Sequence, residues 1–245
     1  MRVDALVFVG ENLVGRELSL IDAVGTARRL GFDATITAPA KPRNYDLRNA
    51  NDRLAAEGNG MEGVYRLVRV DPNQGVDAVS EVARGIGDLG CVGVYIDPDE
   101  EVFRAQSAVE VVREARRLGV PVVISGGIPG RSEPLQVLAL AERIPEARIV
   151  ITSGAQINIS GLSMIDAWFA LVANPNLLVL SNGEYRQDYL ERIVRELGPE
   201  RLLYASSAPR YDQTFEAARI ANVRLTESER RAVEGDNAVH IFDLG

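Results

Sequence analysis

Short runs of apolar, largely β-branched residues alternate along this chain with stretches whose apolar positions recur at helical spacing. The runs predict strands over Val3–Val9, Asp33–Thr37, Tyr65–Val70, Cys91–Ile96, Pro121–Ser125, Arg148–Thr152, Leu177–Ser181 and Arg201–Ala205. Three of them, "PVVIS", "RIVIT" and "LLVLS", are apolar almost throughout. Parallel strands covered on both faces have that composition, because neither face meets water. The intervening stretches predict helices over Leu20–Leu30, Val76–Leu89, Ala108–Leu118, Leu135–Ile144, Met164–Val172 and Leu190–Leu197. Several close on glycine or proline, as in "RRLGF", "RRLGVP" and "RELGPER", where the chain must leave the helical conformation. About eight β/α units in roughly 250 residues predict an α/β fold, a (β/α)8 TIM barrel. A doubly wound open sheet is the alternative this pattern allows. With no linker or low-complexity stretch, residues 1–245 read as a single domain.

Composition narrows the function more than the fold. Apolar residues make up 46% and charged residues 25% of the 245 positions, the balance of a globular protein with a sizeable core. A formal charge of −8 argues against a nucleic-acid partner. No apolar run is long enough to span a membrane, so none is expected as a partner. The N-terminus lacks the basic patch and cleavage site of a secretory signal, and Cys91 is the only cysteine. A reducing, cytoplasmic location follows as the expectation. His240 is the only histidine, and that count weighs most on the chemistry.

The C-terminal third contains "LGPERLLYASSAP" and, further on, "LTESERRAVEGDNAVHIF". Both resemble the closing strand and helix of the amidohydrolase-2 group of the amidohydrolase superfamily, which are metal-dependent TIM-barrel hydrolases. Upstream, "YDLRNANDRLAA", "VRVDP", "RLGVPVVIS" and "SEPLQVLALAERIPEARIVITSG" resemble the same group. The resemblance implies an amidohydrolase-like barrel over nearly the whole chain. It also implies a divalent metal held by an Asp-x-His-x-His first strand, histidines after the fifth and sixth strands, and an aspartate after the eighth. Imidazole and carboxylate ligands hold such a Lewis acid, and it lowers the pKa of bound water into nucleophilic range.

Laid over this chain, that pattern finds other residues. "DALVF" retains Asp4 but puts Leu6 and Phe8 at the two histidine positions. Ser125 and Ser153 stand at the later histidines, and Ser207 stands at the terminal acid. A Lys-x-His site of the fourth strand reads Tyr95-Ile96-Asp97. The resemblance thus implies a metal-dependent hydrolase, while the residues predict one whose metal site is lost and which uses no cofactor. Asp4, Leu6, Phe8, Asp97, Ser125, Ser153 and Ser207 are vestigial mouth positions.

Three functions remain. A non-catalytic, pseudoenzyme subunit or scaffold would form a homo-oligomer, or a hetero-oligomer with a histidine-complete amidohydrolase relative. A metal-independent or remodelled hydrolase or lyase would act on a small carboxylated or cyclic substrate. A sensor would hold a small anionic ligand with Tyr95, Asn182 and Arg210. Competing expectations are plain. Serines need a base, and only Lys41 could serve besides histidine. Asp97 and Asp99 in "DPDEE" suit a turn, and Arg210 and Arg186 suit surface pairs with Asp212, Asp188 or Glu184. Gln156 and Asn158 are read as mouth residues, and Trp168 as core or interface.

Overall fold

The computed structural model describes residues 1–156 and 161–245, with 161 and 162 described by backbone alone. Asn158 lies outside the described residues. A nine-stranded sheet runs in the order β2-β1-β3-β4-β5-β6-β7-β8-β9. Its strands are β1 (Val3–Glu11), β2 (Glu17–Leu18), β3 (Ala34–Pro39), β4 (Val64–Arg69), β5 (Gly93–Ile96), β6 (Val122–Ile124), β7 (Ile149–Ile151), β8 (Leu177–Leu180) and β9 (Leu202–Leu203). All neighbours pair in parallel except β2, which folds back on β1 as a short hairpin. The sheet curls until its ends meet. Ala5 N donates to Tyr204 O at 3.1 Å, Ser207 N to Leu6 O at 2.8 Å, and Phe8 N to Ala208 O at 2.7 Å. These bonds close a barrel and satisfy the edge groups that an open sheet leaves exposed.

The helices are α1 (Leu20–Arg29), α2 (Leu47–Glu57), α3 (Val76–Gly87), α4 (Val109–Arg117), α5 (Pro134–Glu142), α6 (Gly161–Ala173), α7 (Gln187–Leu197), α8 (Gln213–Ala221), α9 (Glu227–Arg231) and α10 (Asn237–Phe242). Side-chain alternation along the strands builds two cores. Val94, Ile96, Val122, Ile124, Ile149, Ile151, Leu177 and Val179 point outward and pack with the helices. Tyr95, Val123, Val150, Leu178, Leu180 and Leu203 point inward with Leu6 and Phe8 from β1 and fill the barrel. Both faces are buried, which is why these strands read as unbroken apolar runs. The glycines of the three helix-closing motifs hold left-handed or extended positive-φ conformations, at 81° for Gly31, 76° for Gly119 and 104° for Gly198.

Two departures from the sequence pattern matter for the mouth. Helix α2 falls where apolar spacing predicts none, because its inner face is partly polar. Asn51 is buried there and grips Arg69 as another strand would: Nδ2 donates to Arg69 O and Arg69 N donates to Oδ1, both at 2.9 Å. The last strand is two residues long, against the five predicted. Beyond Leu203 the chain turns its backbone groups elsewhere: Tyr204 N donates to Val233 O, and Ser206 N donates to the Asp4 carboxylate.

Candidate functional site

The C-terminal ends of the strands converge on a mouth whose centre is filled by side chains. Leu6 is fully buried in the barrel interior. Phe8 lies above it with its ring edge-on to Tyr95, the centroids 5.0 Å apart. The guanidinium of Arg210, from the loop after β9, covers the Phe8 ring at 4.5 Å. Apolar volume at these two first-strand positions therefore serves as a floor for a cation that the protein itself supplies.

Around that floor, buried charges are matched. Arg69, the last residue of β4, has no exposed surface. Such a group is tolerable only if it is paired and fully hydrogen-bonded. It donates to Pro39 O at 3.1 Å, to Glu101 Oε1 at 2.8 Å, and to the Glu100 carboxylate. The "DPDEE" segment turns tightly after β5 because Asp97 Oδ1 accepts from the backbone N–H of Asp99 (3.0 Å) and Glu100 (3.3 Å). That turn aims Glu100 and Glu101 at Arg69. The other oxygen of Asp97 accepts from Tyr95 Oη at 2.7 Å and from Arg210. Arg210 also pairs with Glu100 at 3.1 Å. Lys41 Nζ donates to the Glu100 carbonyl and lies 3.6 Å from Glu101 Oε1. Three cations thus face three carboxylates.

The ionisation behaviour follows from this packing. Burial alone would raise the Asp97 carboxyl, but Arg210 and Arg69 outweigh it and hold that group well below the usual carboxylate range. Burial dominates at Glu101, which rises to about 7 despite Arg69 and Lys41. Burial also pushes the Tyr95 phenol well above its ordinary value. Asp4 lies apart from this cluster. It accepts from Ser206 N at 2.8 Å and from Gln213 Nε2 at 3.5 Å, tying β1 to the chain after β9. Burial raises it to about 6.

A divalent metal does not fit these residues. Leu6 and Phe8 offer no donor atom. The oxygens of Asp97, Glu100 and Glu101 are directed at guanidinium and ammonium groups. The crevice bounded by Phe8, Arg69, Glu100 and Arg210 encloses about 10 Å³, no more than one water requires. Among the described residues, no group of three or more His, Cys, Asp or Glu side chains is placed to hold a metal ion. His240 is exposed on α10. The adjoining Ile241 carbonyl accepts from Arg148, just before β7, which places α10 at the opposite end of the barrel from the mouth.

The serines line a separate cavity beside the ion-paired centre. Its walls include Phe8, Ser125, Thr152, Ser153, Asn182, Ser207, Arg210 and Tyr211, and it encloses about 180 Å³. Asn182 steadies one wall: Oδ1 accepts from Ser153 N at 3.2 Å and Nδ2 donates to Ser153 Oγ at 3.3 Å. Ser207 N and O are bonded to Leu6 and Arg210, and its buried Oγ has no hydrogen-bond partner among the described residues. Lys41 is buried and held on the Glu100–Glu101 side, so it supplies no free amine to these hydroxyls.

Of the residues predicted for a ligand, Asn182 and Arg210 reach this cavity, whereas Tyr95 is fully buried and engaged with Asp97. The surface pairs expected for Arg210 are replaced by Asp97 and Glu100 from across the barrel, and Arg186 takes Asp188. Gln156 is buried and donates to Glu184 at 2.7 Å. Trp168 is partly buried against the outer core, with Arg192 stacked 3.7 Å from its ring. The sequence pattern singles out neither Arg69 nor the pair Glu100 and Glu101. The available signal was Arg69 itself, a charged residue at an inward-facing position of the strand "VYRLVR".

Comparison with known proteins agrees with this barrel. The sequence profile of the Amidohydrolase family (Amidohydro_2) matches residues 21–244. No curated protein sequence matches the chain. Among solved structures, 2,6-dihydroxybenzoate decarboxylase from Rhizobium is 18% identical, with a TM-score of 0.78 over 99% of this chain and 98% of that one. The 5-carboxyvanillate decarboxylase LigW from Sphingomonas paucimobilis is 15% identical, with a TM-score of 0.78 over 100% and 99%. A 5-carboxyvanillate decarboxylase from Novosphingobium aromaticivorans, complexed with manganese and 4-hydroxy-3-methoxy-5-nitrobenzoic acid, is 14% identical, with a TM-score of 0.79 over 100% and 96%. At such identities the likeness shows the fold. Among the described residues, no helix is long and apolar enough to cross a membrane.

Proposed function

The chain belongs to the amidohydrolase family, and from that premise we propose that it is a non-catalytic member, working as a subunit or scaffold for a histidine-complete relative. One observation carries this reading. The centre of the mouth is occupied by the protein's own cation, Arg210, stacked on Phe8 and paired with Asp97. A substrate would have to break this partly buried ion pair to reach the barrel axis, and there it would meet Leu6 and Phe8 rather than imidazole side chains. A surface for a partner is at hand. On α6, Ile165, Phe169 and Val172 are each more than half exposed, at the i, i+4 and i+7 spacing of a single helix face.

Affinity capture of the tagged chain from its native host, with metal analysis of the eluate, tests the reading. A stoichiometric, metal-bearing amidohydrolase should co-elute, and the chain expressed alone should carry no stoichiometric manganese or zinc. Metal bound to the chain alone would overturn it. Recovery of the chain without a relative would remove the partner.

A second reading, a metal-independent hydrolase or lyase, is favoured by Glu101, whose carboxyl titrates near neutrality within the mouth cluster. It requires turnover that survives chelator and is lost in Asp97→Asn.

A further inference from the structure

Asparagine followed by glycine occurs twice in the chain, at Asn59–Gly60 and at Asn182–Gly183. Such a pair carries its own reagents. The glycine backbone nitrogen is a nucleophile for the asparagine side-chain Cγ, and glycine has no Cβ to obstruct the approach. In a folded chain the reaction needs a free nitrogen and a side chain able to turn onto it. The two pairs differ in both respects. Asn182 is 2% exposed. Its Oδ1 accepts from Ser153 N at 3.2 Å and its Nδ2 donates to Ser153 Oγ at 3.3 Å. Gly183 N, the nucleophile of that pair, donates to Glu216 Oε2 at 3.1 Å. Three hydrogen bonds must break there before a ring can close.

Asn59 and Gly60 are both exposed, in the turn that leads from α2 to β4 at the end of the barrel opposite the mouth. The turn is held at its ends, where Asn59 N donates to Ala56 O at 3.4 Å and Met61 N to Gly58 O at 3.2 Å. The link between them is not held. Among the described residues, neither the Asn59 side chain nor Gly60 N has a hydrogen-bond partner. Gly60 sits at φ 75°, and nothing lies within 4 Å of the point where its Cβ would be. A ring built on this peptide bond has open space around it.

We propose that Asn59 is a modification site, deamidated spontaneously through a cyclic imide formed with Gly60. Gly60 N bonds to Asn59 Cγ, its proton and the side-chain NH2 leave as ammonia, and a succinimide ring remains. Water then opens either C–N bond of the imide. Opening at Cγ gives aspartate. Opening at the main-chain carbonyl gives isoaspartate, in which the backbone runs through the side chain. Water is the sole co-reactant. Either product adds a negative charge beside the C-terminus of α2, where unpaired carbonyls already carry partial negative charge. Isoaspartate also lengthens the link between α2 and β4 by one carbon. The step is internal and irreversible, so the modified fraction records the age of the molecule. This chemistry is independent of what the mouth holds.

Peptide mapping of the full-length folded protein, incubated at pH 6 and at pH 8, tests it. Trypsin releases residues 54–66, in which Asn59 is the only asparagine. That peptide should appear in two new forms, each heavier by the difference between oxygen and NH. One of them should accept a methyl group from a protein isoaspartate methyltransferase. Both should form faster at pH 8, where the Gly60 N–H proton is more easily lost. Asn59 should react at least about tenfold faster than Asn182, whose three hydrogen bonds must first break. In Asn59→Gln, whose longer side chain cannot close the five-membered ring, the peptide should stay unmodified. An unchanged 54–66 peptide in the parent, equal rates at the two pairs, or modification of Asn59→Gln at the parental rate would each overturn the proposal.

Discussion

Arg69 shows how one side chain organises the mouth. Its guanidinium is buried without remainder, so Glu100 and Glu101 stabilise the fold chiefly by preventing an unpaired charge, and the converse is equally true. Removing one partner is therefore costlier than the interaction is worth. Arg69→Ala should destabilise the protein by about 3–5 kcal/mol in urea unfolding. Adding Glu101→Gln to that variant should recover part of the loss, since it removes one of the stranded charges. Equal destabilisation in the single and double variants would mean that Glu101 finds other compensation. Arg210 differs, because it is partly exposed and stacked on Phe8, so its loss would open the mouth more than it unfolds the barrel.

At the level of elements, α6 and the loops at the strand ends divide the work. Most strand positions are interchangeable apolar staves, but the end of β4 delivers Arg69, and the segments after β3, β5 and β9 deliver Lys41, the acids Asp97, Glu100 and Glu101, and Arg210 to one place. Helix α6 turns its apolar stripe outward, and Ile165, Phe169 and Val172 make no contribution to the buried core. Phe169→Glu should accordingly leave Tm within about 2 °C of the parent while abolishing capture of the relative. A fall in Tm as large as that of a core variant would show that the stripe is packed within this chain rather than reserved for another. The capping box of α9, with Thr226 and Glu229 bonded reciprocally, is legible directly from "TESE" and shows how local such signals are.

For the whole molecule, two buried carboxyls set an unusual pH dependence. Asp4 and Glu101 are raised to about 6 and about 7. Between the ordinary carboxylate range and those values the folded chain holds protons that the unfolded chain has released. Stability therefore falls as pH rises from about 4 to about 7, and Asp4 alone accounts for about 3 kcal/mol of that change. Asp97 acts in the opposite sense. Its carboxyl is lowered by Arg210 and Arg69, so its contribution is present above about pH 4 and lost on further acidification. Maximum stability is expected near pH 4–5, below the neutral optimum of most globular proteins. Urea unfolding from pH 3 to pH 8 would check it, and Asp4→Asn should flatten the descending limb. A profile rising steadily to pH 7 would contradict the burial of these two groups. On the proposed reading of a mouth without metal, chelator should leave the curve unchanged.

The sequence by itself determined the alternation of strands and helices, and its resemblance to the amidohydrolase-2 group pointed to the barrel rather than the open sheet. Strand composition, helix spacing and glycine stops are local signals, each readable within a dozen residues, and their alternation permits few architectures. It also determined which mouth positions lack metal-ligating side chains, since Leu6, Phe8, Ser125, Ser153 and Ser207 are read off one at a time. What took their place was decided only in three dimensions. Asp97 and Arg210 are 113 positions apart, and Arg69 and Glu101 are 32 apart. Nothing in "DPDEE" or "SSAPR" says that their charges neutralise one another rather than face solvent. Helix α2 carries no clear apolar period for a related reason: Asn51 on its buried face works by hydrogen-bonding the Arg69 backbone. Local propensity is written in neighbouring residues. The pairing of buried charges depends on which strand ends the closed barrel brings together, and that becomes defined only when β9 meets β1.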